Sequence, residues 1–294
     1  MTNGTELRDE AVRLYDAYTH EHLDRRRLLR EMTALAGSLA AAEALIGAIG
    51  AAPAAAQMVP ADDKRLRTMR ETYQFAGGPL GTYAAWPASP EAASGTVLVI
   101  HENRGLNAHI EDIARRVALA GFLAVAPDFL SAQGGTPPDP DKARQMIGQA
   151  DYDLLLAQAV AALDYVAKQH GGRGKAGAVG FCWGGAFVNR LAVAAGPKLA
   201  AGVSYYGPAP ASPEAAKVEA AMMIHLAGKD DRVNATALPW IAALGKAGKE
   251  VAAFTYPGVD HAFNNDTSAE RYNKAAAELA WDRTTRFLRR ELDA

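Results

Sequence analysis

Short apolar runs alternate with longer segments of helical spacing along most of the chain. Gly95 to Ile100 (Gly-Thr-Val-Leu-Val-Ile) is continuous in apolar character, as expected of a strand covered on both faces. Phe122 to Ala126, Lys175 to Val179, Ala200 to Tyr206, Ala221 to Ala227 and Glu250 to Tyr256 read the same way. Between them, Ala108 to Ala120, Ala186 to Ala195 and Ala235 to Gly248 carry helical periodicity, the first stopping at Gly121. Asp141 to Gln169 reads as helix in two pieces, and Ala269 to Leu292 as a closing helix. Met69 to Ala76 and Gly81 to Trp86 flank Gly77-Gly78-Pro79 and predict a hairpin. Strands alternating with helices at this spacing imply an α/β fold: a mostly parallel sheet with helices on both faces. In such sheets reactive groups gather beyond the carboxyl ends of the strands. The loops after Ile100, Val179, Ala227 and Tyr256 are therefore where chemistry is expected.

The first 60 residues have a different pattern. Thr5 to His22 is polar and helix-compatible, and Asp24-Arg25-Arg26-Arg27-Leu28-Leu29-Arg30 follows. Paired arginines, a spacer, two apolar residues and a base form the pattern of a twin-arginine export signal. Met32 to Ala56 supplies a weakly hydrophobic run, and Ala51 to Ala56 the small residues of a cleavage site. That pattern predicts a periplasmic protein. The alternative is a cytoplasmic protein whose Ala-rich segment docks as a helix on the domain, a reading favoured by the long polar lead and by Glu43. The apolar run is interrupted, so no stable membrane span is expected. Residues 1–60 are thus read as an extension outside the catalytic argument, and residues 61–294 as the catalytic domain.

With 294 residues, 49% of them hydrophobic, the chain can bury one large core beside that extension. A formal charge of −2 with mixed signs gives no basic groove, so no nucleic-acid partner is expected. Cys182 is the only cysteine and the seven histidines lack His-Glu-x-x-His spacing, so no disulfide, metal or cofactor is implied.

The lone cysteine sits in Gly180-Phe181-Cys182-Trp183-Gly184-Gly185, between a predicted strand and a predicted helix. Strand, Gly-x-Cys-x-Gly, helix is the layout of a nucleophile elbow. Its tight turn needs small neighbours, and the helix amides beyond it favour a thiolate or an oxyanion. Free cysteines also serve as small buried apolar residues, so the motif alone does not decide. Gly228-Lys229-Asp230-Asp231 and Asp260-His261-Ala262-Phe263 occupy the loops after Ala227 and Tyr256. Cys182, Asp230 and His261 then appear in the order nucleophile, acid, histidine, which is that of α/β-hydrolases. An imidazole that takes the thiol proton and a carboxylate that holds its tautomer would activate the sulfur. Asp231 is the adjacent alternative acid, and Asp260, directly before His261, ranks last.

In these stretches the chain resembles the dienelactone hydrolases (carboxymethylenebutenolidases) of the α/β-hydrolase superfamily. The matching residues are His101 to Asn107, Ala126-Pro127-Asp128, the elbow, Gly228-Lys229-Asp230 and His261-Ala262-Phe263. The resemblance implies a cysteine hydrolase of a small-molecule ester or lactone that forms a thioester and needs no cofactor. It implies Cys182 as nucleophile, His261 as base, Asp230 as orienting acid and Glu102 as the carboxylate that holds the resting thiol. The oxyanion hole is expected at the backbone N–H groups of Trp183 and Asn103. The family's two substrate-clamping arginines are missing: Ala132, Asn264 and Asn265 stand in the corresponding places. Substrate recognition is therefore expected to differ, with Arg104 as a substitute cation and Trp183, Phe129 and Phe263 as candidates for an apolar pocket, although for Phe129 core packing is the better reading. A thiol-based redox sensor lacks Cys-x-x-Cys or a resolving cysteine. A non-catalytic binding module would not need the triad positions.

Overall fold

The structure is a computed structural model, described here for residues 4–21, 23–50, 57–75, 77–89, 93–167 and 174–293. Eight strands form one sheet: β1 (Leu66–Phe75), β2 (Gly78–Pro87), β3 (Thr96–Ile100), β4 (Leu123–Asp128), β5 (Ala176–Phe181), β6 (Ala201–Tyr205), β7 (Ala221–Ala227) and β8 (Val251–Tyr256). Their order is β1-β2-β4-β3-β5-β6-β7-β8. β1 and β2 form the expected hairpin, Phe75 opposite Gly78, and β2 runs antiparallel to β4. Every other neighbouring pair is parallel. β3, β5, β6 and β7 are buried along their whole length, which is why they read as unbroken apolar runs.

Three helices, α1 (Gly4–His20), α2 (Arg25–Ala36) and α3 (Leu39–Ile49), precede the sheet. The remaining helices are α4 (Ala108–Leu119), α5 (Pro140–Gln149), α6 (Tyr152–Val166), α7 (Trp183–Ala194), α8 (Asp231–Lys246) and α9 (Lys274–Asp293). α4 and α9 close one apolar cluster on one face of the sheet, and α6, α7 and α8 close a second on the other. The long helical stretch does split in two: Asp139 and Asp151 each accept backbone N–H bonds that start α5 and α6.

The closing helix begins later than its periodicity suggests. Asn273 caps α9 by accepting the N–H of Ala276, and residues 268–272 form turns instead. This places Arg271 on a turn at the sheet's carboxyl end, not on a helix face. α8 begins earlier than expected, at Asp231, because Asp230 caps it.

α1, α2 and α3 pack around Val12, Tyr15, Leu28, Met32 and Ile49 as a small cluster of their own. Among the described residues no single helix is long and apolar enough to cross a membrane. α2 and α3 together have the length and composition but meet at 109°. Arg25, Arg26 and Arg27 are exposed on the first turn of α2, and the proposed cleavage segment, residues 51–56, lies outside the described residues.

Candidate active site

β5 ends in the sharpest backbone turn of the site. Cys182 has φ 56° and ψ −113°, a conformation that L residues avoid. Its N–H is held by the Tyr205 carbonyl at 3.0 Å. The turn closes only because its neighbours lack side chains. A Cβ on Gly180 would stand 2.1 Å from the Gly184 carbonyl oxygen, and one on Gly184 would stand 2.4 Å from that of Ile100. α7 starts at Trp183, so the N–H of Trp183 has no acceptor within the helix.

Two later loops converge on the sulfur. Asp230 works twice: Oδ1 accepts the N–H of Val233 at 3.2 Å and so caps α8, and Oδ2 accepts His261 Nδ1–H at 2.5 Å. The helix cap and the bond to the imidazole thus use the two oxygens of one carboxylate. Asp231 is exposed in the first turn of α8, and Asp260 pairs with Arg8 at 2.7 Å. Neither competes for the imidazole. With Nδ1 committed, Nε2 of His261 is buried and has no hydrogen-bond partner among the described residues. The donor atoms of His261, Cys182 and His20 all lie within 4.8 Å of one another.

Burial alone would push the His261 imidazolium down. The Asp230 carboxylate and the Cys182 sulfur outweigh it and raise the pKa to about 10. For Asp230 burial likewise opposes ionisation, and His261 overrides it, holding the carboxyl below its ordinary value. The pair is thus arranged to keep a charged, hydrogen-bonded state in a dry setting.

Glu102 lies on the loop after β3 and lines the same small space as Cys182. Its Oε2 accepts Asn265 Nδ2–H at 3.1 Å, and its Oε1 is buried without a partner. Arg104 also lines that space, where it bonds the Tyr15 hydroxyl. The side chain of Asn103 donates to the Thr19 carbonyl at 3.2 Å.

Phe263, expected in an apolar pocket, does not line the cavity that touches Cys182. Phe263 is fully buried, 4.9 Å from the Tyr256 ring and 5.5 Å from that of Tyr206, as core. Phe129 is core as well. The Trp183 ring stacks on His101 at 5.3 Å within an aromatic cluster that includes Phe129 and Phe187.

Sequence reasoning left the first 60 residues out of the candidate site, and the structure adds one of their helices to it. α1 lies across the site. Its His20 stands 3.9 Å from Sγ of Cys182 through both ring nitrogens, and its ring centroid is 4.6 Å from that of His261. Burial first, and then the positive charges of His261 and nearby arginines, push the His20 pKa well below its ordinary value. Ion pairs fasten α1 to the rim: Asp9 to Lys229 at 3.1 Å, Asp16 to Arg271 at 3.2 Å, and Arg8 to Asp260. Under α1 the cavity that touches Cys182 measures about 20 Å³, room for one water. A larger cleft of about 430 Å³ beyond α1 reaches Asp230 and His261. Arg271 was also missed. It lines the thiol cavity beside Arg104, so two arginines border the space that Cys182 touches although the aligned positions hold none.

Against known proteins, the sequence profile of the Dienelactone hydrolase family matches residues 80–292. A protein of Saccharolobus solfataricus, provisionally named a carboxymethylenebutenolidase, is 31% identical over 256 residues, covering 74% of this chain and 96% of that one. One from Salmonella typhi with the same provisional name is 30% identical, covering 79% and 91%. Among solved structures, a provisionally named dienelactone hydrolase of Klebsiella pneumoniae superposes with a TM-score of 0.69 at 25% identity, over 76% of this chain and 98% of that one. The chain belongs to the dienelactone hydrolase family, carboxylic ester hydrolases of the α/β-hydrolase superfamily.

Proposed function

We propose that the protein hydrolyses a small-molecule ester or lactone through a thioester on Cys182. The supporting observation is the convergence of Cys182, His261 and Asp230 from three loops, with Nε2 of His261 left free toward the sulfur. Nε2 takes the thiol proton, with Glu102 as a second acceptor, and the sulfur attacks the carbonyl carbon. The oxyanion forms against the N–H groups of Trp183 and Asn103, each donor being worth ~2.7–4 kcal/mol in comparable sites. Collapse breaks the C–O bond, and His261 returns the proton to the leaving alkoxide. Water then attacks the thioester, giving its proton to Nε2, and the acid departs as the thiol is restored.

Recognition follows from Arg104 and Arg271. A carboxylate on the substrate would take the place of the Tyr15 hydroxyl at Arg104 and of Asp16 at Arg271. A 20 Å³ cavity admits no ester, so α1 withdraws during turnover and carries Tyr15, Asp16 and His20 with it. Export through Arg25–Arg27, whose side chains stay exposed at the start of α2, is the competing reading, because cleavage within residues 51–56 would leave a chain without α1. N-terminal sequencing of the native protein tests it.

The decisive experiment is a hydrolysis screen of aryl esters, lactones and carboxylate-bearing esters with the parent and Cys182→Ala, with mass spectrometry for a trapped acyl adduct on Cys182. A Cys182→Ala protein that turns over any of them at the parent rate ends the proposal.

A further inference from the structure

The geometry points to a second use of the same sulfur: a binding site for a zinc-type divalent cation made by Cys182, His261 and His20. Two of the donors come from the sheet's loops. The third arrives on α1, outside the residues that match the family.

A thiolate and two imidazoles form a donor set suited to zinc, whose sites take three protein ligands and leave one position for water. The donor atoms here lie within 4.8 Å of one another. A tetrahedral zinc with Zn–S of about 2.3 Å and Zn–N of about 2.0 Å holds its donors roughly 3.3–3.6 Å apart. Closing the gap takes a movement on the order of 1 Å, which falls to His20, the last residue of α1. Its two nitrogens are equally distant from the sulfur, 3.9 Å each, so a turn of the ring aims either one at a metal.

Three further features are those of a metal site. Nε2 of His261 is buried and unpartnered, with its lone pair or proton directed into the space. Nδ1 of the same ring donates to Asp230, the carboxylate–histidine arrangement that orients metal-bound imidazoles. The cavity beside all three donors, about 20 Å³, has room for a single water. Glu102 and Asp16 add negative charge around it, and Arg104 and Arg271 oppose it.

The proton balance is simple. The Cys182–His261 pair holds one proton on sulfur or on Nε2, and binding of the cation releases that proton to solvent. The metal then occupies both the nucleophile and the base and ties α1 to the sheet. Its consequence for hydrolysis rests on the proposed function; its binding does not.

The test uses the full chain after dialysis against a chelator. Zn²⁺ is titrated against a chromophoric competitor, and Co²⁺ is added separately as a spectroscopic probe. The expected result is one Zn²⁺ per chain at micromolar affinity or better. Co²⁺ should give a near-ultraviolet thiolate charge-transfer band with the strong visible absorption of a four-coordinate site. His20→Ala and His20→Gln should each weaken Zn²⁺ binding at least about tenfold, and Cys182→Ser should abolish the charge-transfer band. Thermal melts without metal establish that each variant is folded; Gln, which keeps the bulk of the ring, serves if Ala is not. Absence of stoichiometric binding at 100-fold excess of Zn²⁺ over protein would overturn the inference. So would His20 variants that bind like the parent, or a band that survives loss of the sulfur. None of these readouts needs a substrate. Separately, one equivalent of Zn²⁺ should stop ester hydrolysis, and a chelator should restore it.

Discussion

Replacing Asp230 by Asn separates the two tasks of that carboxylate. Asn caps helices as well as Asp, so the bond to Val233 N–H survives and α8 keeps its start. What disappears is the charge 2.5 Å from His261 Nδ1. The rise of that imidazole to about 10 from an ordinary value near 6.5 corresponds to on the order of 5 kcal/mol in favour of the charged ring. Asp230 and the Cys182 sulfur supply it against the opposing effect of burial, with Asp230 the larger contributor. Losing the carboxylate charge therefore removes roughly half or more of it, on the order of 3 kcal/mol, or ~100-fold in rate. An amide that turns its NH₂ toward Nδ1 adds a tautomer fault, for which serine triads set a scale of ~10⁴-fold. The expected loss in kcat/KM on a carboxylate-bearing ester is thus between ~10² and ~10⁴. Proton NMR of the His261 ring should show its titration fall from about 10 toward or below 6.5, while the thermal midpoint reports on the fold. An Asn variant that keeps more than a tenth of parental activity, or leaves the His261 titration in place, refutes the reasoning.

Three other outcomes follow from the same geometry. Gly184→Ala puts a methyl group 2.4 Å from the Ile100 carbonyl oxygen and 2.5 Å from that of His101. It should cost about 3 kcal/mol in urea unfolding, and an unchanged midpoint counts against the elbow description. Arg8→Ala with Asp9→Ala removes the pairs to Asp260 and Lys229 while sparing His20. At ~0.5 kcal/mol for each partly exposed pair, iodoacetamide should alkylate Cys182 about fivefold faster, and an unchanged rate means these pairs do not hold α1 down. The third outcome is a pH window. His261 is raised, so its contribution to stability is complete below about 6.5 and lost as pH climbs toward 10. Asp230 and His20 are lowered, so theirs hold above their ordinary values and fade as pH falls. Thermal midpoints should peak between. Hydrogen exchange in α1, corrected for intrinsic rates, should quicken below pH 6.5 in the parent but not in His20→Gln; identical profiles contradict the buried neutral His20.

The elbow was legible because its causes are local. Gly180 and Gly184 are required by contacts within a few residues and with the neighbouring strand end, and no other residue type satisfies them. The strands were legible because burial on both faces leaves no polar positions to confuse the pattern. The choice between Asp230 and Asp231 was not local. It depends on which carboxylate the loop after β8 meets, and the two differ only in facing His261 or solvent. Phe263 shows the reverse error: an aromatic two residues after His261 in sequence turns into the core, next to Tyr256 and Tyr206, where Ala262 takes a positive φ of 64° before it.

His20 and Arg271 mark where sequence reasoning stops, and for a common physical reason. Each sits in a segment with an adequate explanation of its own: His20 in a polar lead before an arginine cluster, Arg271 at the start of a helix-compatible run. Each acquires its place only through the other's neighbours, since Arg271 binds Asp16 one turn before His20, and its ring contact is Tyr15. Tyr15 also lies under Arg104, the cation anticipated from the β3 loop. The two arginines are therefore held by one aromatic ring of α1 while that helix is docked. A substrate carboxylate that drew them apart from Tyr15 would loosen the contact that keeps His20 over the sulfur. Substrate binding and exposure of the nucleophile are then a single event, and an ester lacking a carboxylate should meet a closed thiol. This coupling is measurable as faster alkylation of Cys182 in the presence of a non-hydrolysable carboxylate analogue than of its amide. Equal rates would mean that α1 opens without reference to what the arginines hold.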